Sequence, residues 1–313
     1  MNRFSSIAWL LIINIVTLPT LQTREPKIKN PGVDILIFSY NRPMQLFALL
    51  ESCTHYLTGQ YTLTVLYRTS DSAFETGYQI VANDFPAVRF VAQEDPPYTT
   101  FKSQFLSLLF HERANDYFMC AVDDIIVTDH IDLRFCIDAL ETHAAHGFFL
   151  RLGTNITDCY TIHKKCGLPS SLTLIAPTLL TWQFKQGTGD WCLPASTDMT
   201  LYRKKDMYDL FERLSFFTPN DFESYWIQAS DTTAFGLCYP VSKIVNIPLN
   251  IVQPDKTHRN MNFFSCEELL EEFINGFKID IKPLSMKENN NLPFNTAPHA
   301  EYVPEFIRKA PHS

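Results

Sequence analysis

Between residues 33 and 135, short β-rich runs alternate with longer stretches of helical periodicity, and this alternation restricts the chain to a sheet covered by helices. The runs are "DILIFSY" (34–40), "LTVLYRTS" (63–70), "VRFVAQ" (88–93) and "YFMCAV" (117–122). After the first, "RPMQLFALLESCTHYL" sets Pro43 at a first-turn position and gathers Leu46, Phe47, Leu49, Leu50 and Cys53, so a helix follows at once. "TTFKSQFLSLLFHERAND" predicts a second amphipathic helix with Phe101, Phe105, Leu108 and Leu109 inward. A third is expected from about Leu133 to His146. The expected fold class is α/β, a mostly parallel central sheet flanked by helices.

In such sheets ligands sit outside the carboxyl ends of the strands. Here all four runs end in polar groups: Ser39, Tyr40, Asn41 and Arg42 after the first, Asp71 after the second, "QED" after the third, and Asp123-Asp124 after the fourth. Any one strand end is polar because it surfaces; four in succession on one edge describe a binding rim. Two adjacent carboxylates repel unless a proton or cation neutralises them. An oxygen-preferring divalent ion, Mn²⁺ or Mg²⁺, would do so and would also engage substrate phosphates. The structural alternative for the doublet is a turn or a helix cap.

The 313 residues, 46% hydrophobic and 19% charged, suffice for one large α/β domain or two small ones. A net charge of −8 argues against the basic face that nucleic-acid binding needs. Eight scattered cysteines do not form a disulfide framework, although Cys159 and Cys166 in "CYTIHKKC" could pair in an oxidising compartment, or with His163 supply three of the four ligands of a zinc site. Asn155 opens an N-x-T sequon. At the N-terminus, basic Arg3 precedes an apolar run from Ile7 to Leu18. That is the outline of a signal peptide or short membrane anchor over 1–23, with a helix packed on the domain as the alternative.

"VDILIFSYNRPMQLFALLES", "LTVLYRTS", "VRFVAQED", "FKSQFLSLL" and "YFMCAVDDIIVTD" together resemble the nucleotide-binding half of GT-A fold glycosyltransferases, similar to bacterial glycosyltransferase family two. The resemblance implies a Rossmann-like domain over 24–286, with a nucleotide-binding half at 33–135, an acceptor half at 148–260, and a loosely ordered tail at 287–313. It implies an inverting transfer from a nucleoside-diphosphate sugar donor to a glycan or lipid-linked hydroxyl acceptor, with a non-catalytic glycan- or nucleotide-binding protein on the same scaffold as the alternative. Asp123 and Asp124 fall where the family has its Asp-x-Asp metal motif, although this chain reads Asp-Asp-Ile. Ser39, Tyr40, Asn41, Arg42 and Asp71 fall where the family contacts base and ribose, and Asp123 or Asp124 could face the ribose instead of the metal. No glycine-rich phosphate loop is present, which counts against a dinucleotide-binding dehydrogenase or a P-loop enzyme.

In the second half, aromatic and polar residues mix, and Trp182, Trp191 and Trp226 are candidates for stacking on a sugar, with core packing as the alternative. "ASTDMTLYRKKDM" resembles the family strand that brings Asp198 toward the donor sugar. "TPNDFESYW" sits where the family places its acidic catalytic residue at a helix start, making Glu223 the first choice for general base, ahead of Asp221 and Asp198. Thr218 as N-cap and Pro219 behind it would equally explain acidic residues there as dipole partners. His258 in "QPDKTHRN" is a further candidate for the metal shell. Ser265 and Glu268 form a capping-box signature for a helix closing at Asn275-Gly276.

Overall fold

The computed structural model describes residues 30–112, 114–160, 164–250, 252, 263–285, 296–297 and 302–310. Residues 1–23, expected to be a leader or anchor, and His258 lie outside them. Among the described residues no helix is long and apolar enough to cross a membrane.

The central sheet has nine strands: β1 Val33–Tyr40, β2 Tyr61–Arg68, β3 Arg89–Ala92, β4 Tyr117–Val122, β5 Gly147–Phe149, β6 Thr173–Ala176, β7 Leu179–Gln183, β8 Thr200–Arg203 and β9 Phe235–Cys238. Their order is β6-β7-β9-β5-β8-β4-β1-β2-β3. The block β3-β2-β1-β4 is parallel throughout. Strand β8 runs antiparallel between β4 and β5, and β9 is again parallel to β5. β1 is apolar from Ile35 to Phe38 because both its faces are packed, and seven of its eight residues are buried.

Helix α1 (Pro43–Tyr56) starts where the sequence places it, with Pro43 in its first turn. The next helix, α2 (Ser72–Asp84), has a weaker apolar pattern and was not foreseen; its start is fixed by Asp71, whose carboxylate accepts from the backbone N–H of Ala73 and Phe74. Helix α3 (Pro97–Leu106) continues into one π-helical turn, and α4 covers Leu133–Thr142. Helices α5 (Lys204–Arg213), α6 (Pro219–Ala229) and α7 (Cys266–Ile274) follow. Thr218 caps α6, and α7 carries the full capping box of Ser265 and Glu268.

Three expectations are corrected. Trp182, Trp191 and Trp226 are fully buried core residues and offer no face to a sugar. Trp226 packs on Phe118, Tyr202, Phe211 and Phe222, because a ring of that size gains most from complete removal from water. Within the tail expected to be loose, Phe306–Arg308 forms a strand against Phe277–Ile279, with the Phe306 ring packed on Phe264. Cys159 and Cys166 are not joined by a disulfide and sit in a buried cluster.

Candidate active site

The parallel register of β1 and β4 aligns Phe38 with Val122 and therefore brings Ser39 and Tyr40 beside Asp123. Asp123 Oδ2 accepts from Ser39 Oγ at 2.8 Å and from the Tyr40 backbone N–H at 3.3 Å. After the doublet, Ile125–Val127 pairs antiparallel with Ile244–Asn246, with Ile125 opposite Asn246. This carries Asn246 to Asp124, whose Oδ1 accepts from Asn246 Nδ2 at 3.2 Å. Asn246 is 1% exposed and also donates from Nδ2 to Asp198 Oδ1 at 3.0 Å. Both partners are acceptors, so the amide must turn its nitrogen toward them.

Arg42 stands between the two carboxylates. Its Nη1 donates to Asp123 Oδ1 at 3.1 Å and to Asp124 Oδ2 at 3.2 Å. Nε donates to Asn250 Oδ1 at 2.8 Å and Nη2 to the Asn250 carbonyl at 2.5 Å. The sequence placed Arg42 at the base or ribose; the structure instead ties it to the doublet, because a buried charge that far from water needs a partner. Burial pushes the Asp123 carboxyl up to about 6; Arg42 works against that rise and Asp124 adds to it. For Arg42, burial opposes the charge, yet Asp123 and Asp124 outweigh it and hold the guanidinium above its ordinary value.

Asn41, at the β1 end, adopts φ +54, a left-handed conformation asparagine tolerates. Its side chain locks the neighbouring loop: Nδ2 donates to Ser70 Oγ and Oδ1 accepts from Ser70 N–H, both at 2.9 Å. Beside this edge opens a cleft of about 500 Å³, lined by Tyr40, Asn41, Asn250, Phe263 and the first residues of α7. That is within the usual size of small-ligand sites. Asp123 and Asp124 are not part of its lining; they lie behind it, linked through Arg42 and Asn250. Asp71 sits on the same edge, with its carboxylate spent on capping α2 and its charge favoured by the Phe74 and Ala73 N–H groups and the Ser70 hydroxyl.

A second acidic pair lies across Asn246. Glu223 Oε1, on α6, accepts from Thr197 N–H at 2.7 Å and from Thr197 Oγ1 at 3.0 Å. Asp198 is next in the same loop, 8% exposed, bonded by Asn246 and held by its own N–H to Ser196 Oγ at 3.0 Å. Burial first, and then the neighbouring Asp198, raise the Glu223 carboxyl above the ordinary carboxylate range. The following residue, Met199, is fully buried with φ +45, strain of a kind that concentrates at functional sites. Arg151 is the nearby cation, paired with Asp190 in the interior. Arg151 Nε and Asp190 Oδ2 are buried without hydrogen-bond partners among the described residues. Asp221 sits in the first turn of α6 with its N–H on Thr218 Oγ1, consistent with a cap rather than a link to Glu223. The Asn155 amide is bonded in both directions to Ser242.

The structure brings together Asp123, Asp124, Asp198 and Glu223, which the sequence singles out, and adds groups that the sequence reading does not name: Asn246, Asn250, Thr197 and the Arg151–Asp190 pair. The signal for two of these was present, since "IVNIPLN" places Asn246 and Asn250 in an otherwise apolar run. A buried amide in such a run has to bond something.

Among the described residues no cluster of three or more His, Cys, Asp or Glu stands ready for a metal. The doublet nevertheless offers only oxygen donors, which a hard divalent cation prefers. Two carboxylates against one guanidinium also leave one negative charge uncompensated. The donor set therefore fits Mn²⁺ or Mg²⁺, with the space between the carboxylates held by Arg42.

The sheet and its acidic rim define an α/β protein with a nine-stranded mixed central sheet flanked by helices. No family model matches the chain. It is 28% identical over 197 residues to the bifunctional glycosyltransferase pgtA of Dictyostelium discoideum, covering 58% of this chain and 25% of that protein. The chain thus spans about a quarter of that relative's length. Among solved structures, S. aureus TarS 1-349 in complex with UDP has a TM-score of 0.39 at 12% identity, covering 66% of this chain and 60% of that one. The mannosyltransferase PcManGT from Pyrobaculum calidifontis in complex with GDP-Man and Mn²⁺ has a TM-score of 0.35 at 8% identity, covering 59% and 50%. At these scores the structural likeness decides neither donor nor metal.

Proposed function

We propose that the chain is a glycosyltransferase that moves a sugar from a nucleoside-diphosphate sugar to a hydroxyl of a glycan or lipid-linked acceptor. The observation that carries this reading is the meeting of two acidic pairs, Asp123-Asp124 and Asp198-Glu223, on one buried asparagine beside a cleft at the strand ends. The similarity to a protein named as a glycosyltransferase supports it. The cleft, with Tyr40 and Asn41 on its wall, would take the nucleoside. Asp123 and Asp124 would hold Mn²⁺ or Mg²⁺, which when bound neutralises charge on the departing diphosphate.

In this reading the transfer inverts the anomeric centre. Glu223 takes the proton of the acceptor hydroxyl as that oxygen bonds to the anomeric carbon, and the bond from that carbon to the diphosphate oxygen breaks, releasing the nucleoside diphosphate. Thr197 fixes the Glu223 carboxylate with two donors, which orients the base without protonating it. Asp198 faces the donor sugar. Membrane association through residues 7–18 belongs to the same proposal, as it would bring the site to a lipid-linked acceptor.

A thermal-shift screen of nucleoside diphosphates, each with and without Mn²⁺, tests the class. A stabilising shift from at least one nucleotide is expected, and none from any of them contradicts the reading.

A further inference from the structure

Arg42 occupies the position that a divalent ion would take. Its Nη1 hydrogen-bonds one oxygen of each carboxylate, at 3.1 and 3.2 Å. The other two oxygens accept from Ser39 Oγ and Asn246 Nδ2. All four carboxylate oxygens are therefore satisfied by protein donors, and Arg42 itself is only 9% exposed. An ion bound at roughly 2.0–2.2 Å to those same oxygens would overlap the space of Nη1. Two cations cannot share that position.

We infer that Arg42 is a resident counter-ion that closes the acidic doublet in the ligand-free chain, so that a divalent cation enters only together with the donor's diphosphate. The inference rests on the glycosyltransferase reading and adds to it an order of charge exchange. With Arg42 in place the doublet carries a net −1; with a divalent ion in place it carries zero, and the guanidinium is released. Without a diphosphate, the released guanidinium would be a buried charge with no counter-charge, which is strongly unfavourable. With a diphosphate present it gains a bidentate acceptor of the geometry guanidinium matches best. Asn250 places this exchange at the cleft, because it holds Nε and Nη2 of Arg42 and also lines the cavity. Metal and nucleotide must then strengthen each other's binding by the same factor.

Calorimetric titration with MnCl₂ tests this, first alone and then with UDP or GDP at saturation. The wild-type chain should bind Mn²⁺ alone at least tenfold more weakly than with nucleotide. Arg42→Met should bind Mn²⁺ alone at least tenfold more tightly than wild type, with the nucleotide's enhancement largely gone. Should Arg42→Met fail to fold, Arg42→Lys serves instead: an ammonium keeps the charge but cannot bridge both carboxylates and Asn250 together, and its Mn²⁺ affinity should lie between the two. Equal Mn²⁺ affinity in wild type and variants without nucleotide overturns the inference, as does Mn²⁺ binding in none of them. Nucleotide binding that is intact but indifferent to Mn²⁺ overturns it while leaving the glycosyltransferase reading standing. Absence of nucleotide binding under every condition overturns both.

Discussion

The two acidic pairs of this molecule have the same ingredients and opposite settlements. At the strand ends of the first half, Asp123 and Asp124 share a guanidinium supplied by the residue that caps α1. In the second half, Asp198 and Glu223 have a guanidinium close by, but Arg151 is already committed to Asp190. For Arg151, burial opposes the charge, and Asp190, then Asp198, outweigh it to hold it protonated. One pair thus has half of its charge compensated, by a guanidinium that bridges both carboxylates. The other is left short of positive charge, with Glu223 pushed toward holding a proton. In the proposed reading the first pair holds the cation and the second moves the proton.

The sharpest way to separate the two roles is Glu223→Gln. It keeps the shape and both Thr197 contacts' geometry but removes the basic oxygen, and transfer should fall about 10²–10⁴-fold with nucleoside-diphosphate affinity unchanged. Steady-state transfer kinetics beside nucleotide calorimetry measures both. A parallel loss of nucleotide binding would assign Glu223 to the donor site instead of to the acceptor proton.

Next in size is a control on the aromatic residues of the second half. Trp226→Ala should cost about 3–5 kcal/mol in denaturant unfolding, since the indole fills the core between Phe118 and Phe222. Tyr225→Ala, one residue away and 43% exposed, should stay within about 0.5 kcal/mol. A sugar platform, if the second half has one, must be built from exposed rings of this kind.

Asn246→Ala tests the link itself. It leaves Asp124 Oδ1 and Asp198 Oδ1 each short of one donor, and a loss of about 1–3 kcal/mol is expected. Chemical denaturation checks this; unchanged stability would mean that the two pairs are neighbours without being coupled.

The smallest effect is on pH dependence. A carboxyl with a raised folded pKa binds its proton more tightly folded than unfolded, so its contribution to stability is fully present below the unfolded value and is lost as pH rises through the folded one. Thermal melts should therefore fall over that window in wild type and fall less in Glu223→Gln. Because Asp198 adjoins Glu223, the midpoint belongs to the pair. Transfer activity should move the opposite way, rising over the same window as the base ionises.

The first half was legible in the sequence because its central parallel strands, buried on both faces, read as apolar runs, and the polar strand ends fall at one edge by topology alone. That rule located Ser39, Asn41, Asp71, Asp123 and Asp124. It could not show what each carboxylate would bond: Asp71 was spent on the start of α2, and Arg42 turned from the ligand edge into the doublet. Both outcomes depend on local donors that compete for a carboxylate. In the second half the helix starts at Thr218 and Ser265 were readable from capping chemistry, which is local. The meeting of Asn246 with Asp124 and Asp198 was not, because it joins residues 122 and 48 positions apart.

The central claim is that the rim over Asp123 and Asp124 binds a nucleoside diphosphate, and calorimetry of UDP and GDP in the presence of Mn²⁺ against wild type and Asp124→Asn tests it most directly. The account predicts saturable binding of at least one nucleotide to wild type and at least a tenfold loss in the folded variant. Binding of equal strength to both proteins would contradict it.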